Sequence, residues 1–600
     1  MRRRKFLGTA GMTAAGLATL VACGGDEDDS TSPQTAAQTS VPSDPNQAGS
    51  RSAGQAAQGQ WEGLKRGGTY VAGGVFSNDP PSLDPYAHLS FLAQYIGVHS
   101  YGRLLKFKTG PGVTPLAEII PDLAEKYELT DNAQTWVITL RPGVKFHNKP
   151  PLNGRELTME DVSSSYERFR AQSPNSGSLA FVDRIETPDT RTLVFKLKHP
   201  YAPFDELLAS PNGLWVMSKE ANSGQIDPAQ IENVIGTGPW VLDQYRPSSE
   251  ISFAGNTAYY EKISTPSGDV QLPIMERLRY PIISEYAQLL AQFVAGESHA
   301  FTPRNADAAS TRDRVSGVQA DPSRPGWLWS GFSFNQESNG GLLKDPRVRR
   351  AWSMALDRDG LIEAFAELRK MRSQGFDVES GWSNSPIPWG DGGLFWWLDP
   401  KSSEFGPGAQ WYQFNPGEAK KLLEAAGYNG DPIDMNFVVG TYGTTYEQFT
   451  EAQLPMLKEV GLNINPKVWE YRRMIGSQEG KEFPGTYYNY NTPFTTVDEY
   501  VFNSFHPDVG DRGAPLRRIN TPEIIALVDK QRLETDRQAR QKQIHEIQRL
   551  AGDLMTSVPT VYSRWGTVAM VQPSVRNAFN YQTAGYGFAA EEYVYRWLDR

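Results

Sequence analysis

The chain predicts an α/β fold of more than one lobe, and three features lead there. Segments that alternate like strands and segments with helical apolar spacing follow one another in both halves. The ~535 residues beyond a polar N-terminal stretch exceed what one hydrophobic core sustains, because single cores stop growing near ~250–300 residues. Aromatic residues make up 11% of the chain, with 15 Trp, 26 Tyr and 27 Phe, enough for large cores or for a stacking cleft.

The N-terminal end has its own anatomy. Arg3-Arg4-Lys5-Phe6-Leu7 resembles a twin-arginine export motif, and Leu20-Val21-Ala22-Cys23 resembles a lipobox, where a lipid is added to the cysteine before cleavage. The intervening apolar run, Gly8–Ala22, is shorter than the ~20 residues that span a bilayer and is rich in Gly and Thr. Cys23 is the single cysteine, so no disulfide framework exists, and lipidation gives that thiol a role. Residues 1–22 read as an export signal and 23–60 as a flexible tether, too poor in bulky apolar groups to repay ordering. Such a tether has a mean reach of ~35 Å.

The body begins with a short strand at Gly67–Gly73. The proline-rich loop Asn78–Pro85 cannot be helical, and a helix is expected within Leu89–Leu105. Strands are expected at Tyr127–Thr130, Trp136–Arg141 and Thr192–Leu197, with alternation also at Val144–His147. Thr158 caps a helix, with Asp161 three residues on. Gly236-Thr237-Gly238-Pro239-Trp240 reads as a plain tight turn, because Pro239 and the lack of a following Lys rule out a phosphate loop. Gly331–Asn335 is strand-like. Asp345-Pro346 then opens a helix whose stripe is Val348, Ala351, Trp352, Ala355 and Leu356, leaving the arginines as the solvated face. Asn415–Tyr428 is a complete helix cassette with cap, N1 proline and terminal glycine. Two more helices carry Ile524, Leu527 and Val528, then Ile544, Ile547, Leu550 and Leu554, before extended chain at Pro559–Tyr562.

Several function classes fall away. Net charge is −10, which disfavours nucleic acid. The seven histidines form no metal-type pair, and Arg549 stands where a zinc-protease motif starting at His545-Glu546 needs its second His. No Gly-x-Ser-x-Gly elbow and no dinucleotide glycine fingerprint occur. No second apolar stretch reaches membrane-span length.

The order of segments resembles the family 5 extracellular solute-binding proteins, receptors of peptide, nickel and oligosaccharide ABC importers. The resemblance runs through Gly67-Gly68-Thr69, Pro80–Pro85, Pro121–Glu125, Leu140–His147, Asp161-Val162, Gly236–Trp240, Val348–Ala351 with Ala355–Asp357, and Ala419–Leu423 with Ala426–Tyr428. It implies a large type II periplasmic-binding-protein-like fold of two lobes, with an extra subdomain on lobe I and a hinge of two crossover strands. The crossovers fall on Phe332–Asn335 and Pro559–Tyr562. Lobe I is then 61–331, with the subdomain near 101–232; lobe II is 332–558, and 559–600 returns to lobe I. The implied protein is a monomeric receptor, lipid-anchored outside the cell membrane, that traps a solute by hinge closure and delivers it to a membrane permease. It needs no cofactor and breaks no bond. An enzyme on a similar two-lobed frame and a lipid-anchored adhesion or scaffold protein are the rival classes.

In peptide-binding members of that family, a Gly-Trp-x-x-Asp segment of lobe II meets the peptide's amino end. The nearest segment here places Tyr488 for the Trp, with Tyr490 beside it and Asn491 for the Asp, which removes a charge that a buried ammonium needs. Asp498 is the alternative carboxylate. Trp382 and Trp389, in a tryptophan-rich segment after the Ala355–Asp357 helix, are the other candidate ligand contacts. A peptide is the first expectation for the solute and an oligosaccharide or other polyhydroxylated solute the second; no His cluster speaks for nickel.

Overall fold

The computed structural model describes residues 61–87, 90–111, 113, 118–131, 133–322, 329–389, 395–439, 444–469, 483–490, 496–507, 521–561, 567–578 and 591–599. The export signal, the tether, Cys23 and Asn491 lie outside the described residues, as do the side chain of Tyr490 and the residue Tyr562.

Four sheets carry the mixed α/β architecture among these residues. In the first, Thr69–Val71 pairs parallel with Arg277–Pro281, which continues antiparallel through Glu250–Gly255 to Trp240–Arg246. Helix α1 (Phe91–Ser100) accompanies it, with the Ser90 hydroxyl accepting from the Leu92 N–H. The second sheet, inside the predicted subdomain, runs Ala124–Thr130, Thr135–Leu140, Thr192–Leu197, Val182–Glu186, all antiparallel. Helix α2 (Met159–Gln172) starts at Thr158 with a reciprocal capping box to Asp161, as the sequence predicts. A short helix, α3 (Phe204–Ala209), follows. Val144–His147 alternates in sequence but makes only an isolated bridge, Lys145 to Glu156.

A three-stranded sheet orders Ala300–Phe301, Val568–Val571 and Gln319–Pro322. A five-stranded sheet orders Ile464–Trp469, Ile433–Val438, Thr486–Tyr490, Ser330–Phe334 and Val558–Pro559. The chain therefore passes between these two sheets twice, after Pro322 and after Pro559. The first passage precedes the predicted Phe332–Asn335, because Phe332 and Phe334 are buried at 0% and 4% exposure and hold their strand inside the second core.

Two large apolar clusters form the interior. One is built on Tyr70, Trp136, Phe169, Trp215, Trp240 and Phe253, the other on Phe293, Phe332, Trp352, Phe405, Phe449 and Tyr488. The clusters do not divide at one sequence boundary. Phe293, Phe301 and Val315 join the second, whereas Val497, Tyr500, Ile524 and Ile544 join the first.

Helix α4 (Pro346–Met354) is capped by Asp345 and buries the predicted stripe. Arg347 is exposed as expected, but Arg349 corrects the sequence reading. Arg349 is 1% exposed and donates to the carbonyls of Leu343, Lys344, Leu554 and Met555. Its guanidinium fork thereby ties α4 to the chain entering the second crossover. Helix α5 (Pro416–Ala425) keeps its predicted Asn415 cap, and Gly427 follows with a φ of +73°. Helices α6 (Val497–Phe505), α7 (Pro522–Leu533) and α8 (Arg537–Leu554) complete the set used below.

Gly236–Trp240 is more than a turn. The Gly238 N–H donates to the Ser100 carbonyl, and His147 clasps the turn: its N–H donates to Gly236 O at 2.8 Å, while its ring accepts from the Gly236 N–H and donates to Gly238 O. A Cβ at Gly236 would stand 1.9 Å from the Ser100 carbonyl oxygen, and one at Gly238 would stand 2.6 Å from that of His99. Glycine is required because two backbones touch. Gly236→Ala is expected to destabilise the protein by at least ~3 kcal/mol in chemical denaturation, since backbone on both sides must move; a loss below ~1 kcal/mol contradicts this packing.

Burial drives the imidazoles of His99 and His147 down from 6.5, to about 3 and about 4. Both are neutral in the native state, and the unfolded chain takes up protons first as pH falls below about 6.5. Stability is then lost progressively down to the folded values. Between pH 7 and pH 5 each residue withdraws about 2 kcal/mol. Asp205, whose carboxyl is raised by burial, works in the opposite sense, so urea denaturation of the parent is compared with that of His147→Gln at the two pH values; equal losses in both contradict the His147 effect.

Candidate functional site

The two crossovers run side by side. The Thr560 N–H donates to the Ser330 carbonyl at 2.9 Å, and the Ser330 hydroxyl meets Thr560 Oγ1 at 3.0 Å and the Val561 carbonyl at 3.0 Å. Both residues are fully buried. Strand Ser330–Phe334 also pairs with Thr486–Tyr490, with Ser330 opposite Tyr490. The segment that the sequence singles out for ligand contact thus leaves the five-stranded sheet at the hinge itself.

A buried loop from Trp382 to Ile387 rests on both crossovers. Trp382 bridges to Val561 on the second. The Asn384 carbonyl accepts from Trp329 Nε1 on the first, at 3.1 Å. The Ser385 hydroxyl lies 2.8 Å from Thr556 Oγ1 and 2.6 Å from Ser557 Oγ. Asn384 also donates to the Leu398 carbonyl and to Gln548 Oε1 of α8. The Ser330, Ser385 and Thr560 hydroxyls and the Asn384 amide nitrogen each bond a group on another element, which suits a pivot that must keep its register.

Trp382, Trp397 and Trp411 are anchored by bonds to the protein itself. Trp382 is 5% exposed; its indole N–H donates to Asp359 at 2.8 Å, and the Lys401 ammonium sits 3.9 Å from the ring centre. Trp397 donates to the Trp382 carbonyl and Trp411 to Asp553. Trp389 is half-buried, its ring lying so close over Gly381 that a Cβ there would approach it to 2.6 Å.

Tyr488 is 0% exposed, stacks on Tyr446 at 5.6 Å and packs at a tilt against Phe332 at 4.9 Å inside the second core. Burial raises its phenol well above the ordinary range. Asp498 opens α6, is 2% exposed, and has both oxygens engaged. It accepts from Tyr201 Oη at 2.5 Å, from Gln531 Nε2, and from Arg532 Nε at 3.1 and 3.2 Å. Its hydrogen-bonding capacity is met by the protein, leaving none for a solute ammonium.

That carboxylate belongs to a network that sequence reading missed. Gln531 Oε1 accepts from Arg540 Nε at 2.9 Å, and Arg540 Nη1 reaches Glu206 Oε1 at 2.9 Å. Burial opposes the Arg540 charge, but Glu206 and Asp498 more than offset it and raise its pKa. Burial and the adjacent Glu206 lift the Asp205 carboxyl to about 7. The members come from α3, α6, α7 and α8, up to 334 residues apart, and no local spacing announces them.

Among the described residues no group of His, Cys, Asp and Glu is set to hold a metal ion, and no helix is long and apolar enough to cross a membrane.

The family model for "Bacterial extracellular solute-binding proteins, family 5 Middle" matches residues 118–511. The chain is 29% identical over 356 residues to the dipeptide-binding protein of Escherichia coli K12, covering 56% of this chain and 59% of that protein. It is 24% identical over 510 residues to di/tripeptide-binding protein 2 of Pseudomonas aeruginosa UCBPP-PA14, covering 80% of this chain and 88% of that one. Among solved structures, the periplasmic binding protein DppA of Helicobacter pylori, in complex with the peptide STSA, superposes with a TM-score of 0.69 at 20% identity, over 90% of this chain and 99% of that chain. The fold is thus the two-lobed periplasmic-binding-protein frame that the sequence predicts.

Trp382→Ala is expected to cost about 3 kcal/mol of stability in urea, as removal of a packed aromatic does. A full-stability variant would overturn the anchoring role and return Trp382 to the candidate ligand contacts.

Proposed function

Because the chain belongs to the bacterial extracellular solute-binding proteins of family 5, we propose that it captures a short peptide between its lobes and delivers it to the membrane permease of an ABC importer. The observation that carries this is the family match over 118–511 in a body with two cores and two hydrogen-bonded crossovers. The relatives support peptide as the solute: one is a dipeptide-binding protein, another a di/tripeptide-binding protein, and the solved neighbour holds a tetrapeptide. On this reading lobe I is 61–331 with its subdomain near 101–232, lobe II is 332–558, and 559–600 returns to lobe I. The receptor works as a monomer, held to the outer face of the membrane by a lipid on Cys23 and freed to swing by the tether 23–60. Catalysis is not part of the proposal.

On the sequence resemblance Asn491 takes the place of the acid in the family's Gly-Trp-x-x-Asp segment, and Asp498 is committed elsewhere. The proposed site therefore holds a peptide through its backbone and side chains rather than through its amino charge. In a thermal-shift screen, di- and tripeptides and their N-acetylated forms are expected to stabilise the protein alike, by about 2.7 kcal/mol at ~100 times Kd. Stabilisation by oligosaccharides with silence toward every peptide would overturn the peptide reading. A response confined to free-amine peptides would overturn the account of Asn491.

A further inference from the structure

The helices α6, α7 and α8 belong by connection to the second lobe. α6 follows strand Thr486–Tyr490 of the five-stranded sheet, and α8 runs into strand Val558–Pro559 of the same sheet. The C-terminal end of α8 is bound there too: the Leu554 and Met555 carbonyls accept from Arg349, and Gln548 meets Asn384. Yet the apolar faces of these helices, with Val497, Ile524, Val528 and Ile544, merge with the core that holds Phe181, Tyr201 and Phe204 of the subdomain. They reach across the seam between the lobes.

Three hydrogen bonds cross that seam at one place. Tyr201 Oη donates to Asp498 at 2.5 Å, the Ala202 N–H donates to the Arg532 carbonyl at 2.7 Å, and Arg540 donates to Glu206 at 2.9 Å. Behind them Gln531 joins Asp498 to Arg540, and the Arg532 guanidinium lies 3.7 Å from the Phe502 ring centre and 4.8 Å from that of Tyr201. Tyr201, Asp498, Gln531 and Arg540 are each no more than 4% exposed. The network joins the subdomain residues Tyr201 and Glu206 to α6, α7 and α8.

We propose that Tyr201, Glu206, Asp498, Arg532 and Arg540 form a clamp that holds the lobes together without any solute, and so sets how much of the empty receptor is closed. This deepens the receptor reading and rests on it. The physics singles out the closed state. When the lobes part, each polar group is hydrated and its partner's loss costs little. When they meet, a missing partner leaves a buried donor or charge uncompensated. Deleting one member therefore penalises closure alone. Solute affinity falls in step, because a solute that binds the closed form draws on the closed fraction.

The test uses the full chain with Cys23→Ser and spin labels at Lys126→Cys in the subdomain and Lys420→Cys on α5, both at exposed positions. Pulsed dipolar spectroscopy on the solute-free protein is expected to give mainly one short interlobe distance. Tyr201→Phe keeps the ring and removes only the hydroxyl, and Glu206→Gln removes the charge opposite Arg540. Each should shift the closed-to-open ratio toward open by about tenfold, with unchanged far-UV circular dichroism. Folded variants with the parent distance distribution would overturn the clamp, as would a parent that is wholly open when empty. Trialanine then serves as probe: affinity should drop in Tyr201→Phe by the same factor as its closed fraction. A parent that ignores trialanine and every other peptide counts against the peptide reading, while the distances measured without solute still decide the clamp.

Discussion

The two-lobed frame of this protein depends on the chain passing twice between two sheets, and the buried backbone where each passage meets the five-stranded sheet needs partners. The chain meets that constraint by laying the crossovers against each other, with Ser330 and Thr560 exchanging backbone and hydroxyl contacts where neither touches water. Small hydroxyl residues suit the position. They satisfy the lone pairs of a neighbouring strand and leave room for the strands to rotate about each other. The loop Trp382–Ile387 rests on both strands and ties the segment that continues toward Trp389 to the hinge.

The local grammar of the fold was legible because its causes are local. The Thr158 and Asn415 caps, the proline after Asp345 and the stripe from Val348 to Leu356 each follow from interactions within about one turn of chain. Arg349 was misread for the opposite reason. Its position on the helix looks solvated, and its burial is decided by carbonyls 205 and 206 residues away at the end of α8. Gly236 was read as a turn glycine, which is true, but the close approach of α1 that makes any side chain impossible there cannot be seen from five residues.

The candidate site divides in the same way. The segments that the sequence singles out lie at the hinge, where Trp382 abuts the second crossover and Tyr490 pairs beside the first. Residue type alone does not say what each side chain does there. A tryptophan-rich stretch suggests stacking faces, but an indole whose N–H is bonded and whose ring carries a lysine and a buried edge is an anchor. Asp498 was chosen for its charge, and that charge is needed by Tyr201 and Arg532. A buried carboxylate always has partners, and spacing alone does not say whether they are a ligand's or the protein's own.

A receptor that must open and close many times has a physical reason to join its lobes through polar groups at the seam. Apolar contact is stabilised by roughly 25 cal/mol for each Å² removed from water, and a purely apolar seam of ordinary size would lock shut. Paired charges behave differently, because the desolvation cost of closing offsets most of the attraction gained, and the net preference stays small. The rings of Phe181, Tyr201 and Phe502 surround Arg532, and in the proposed clamp Asp498, Arg540 and Glu206 select the closed arrangement. In the proposed clamp the polar members specify closure more sharply than they stabilise it, which leaves a solute's binding energy able to tip the balance.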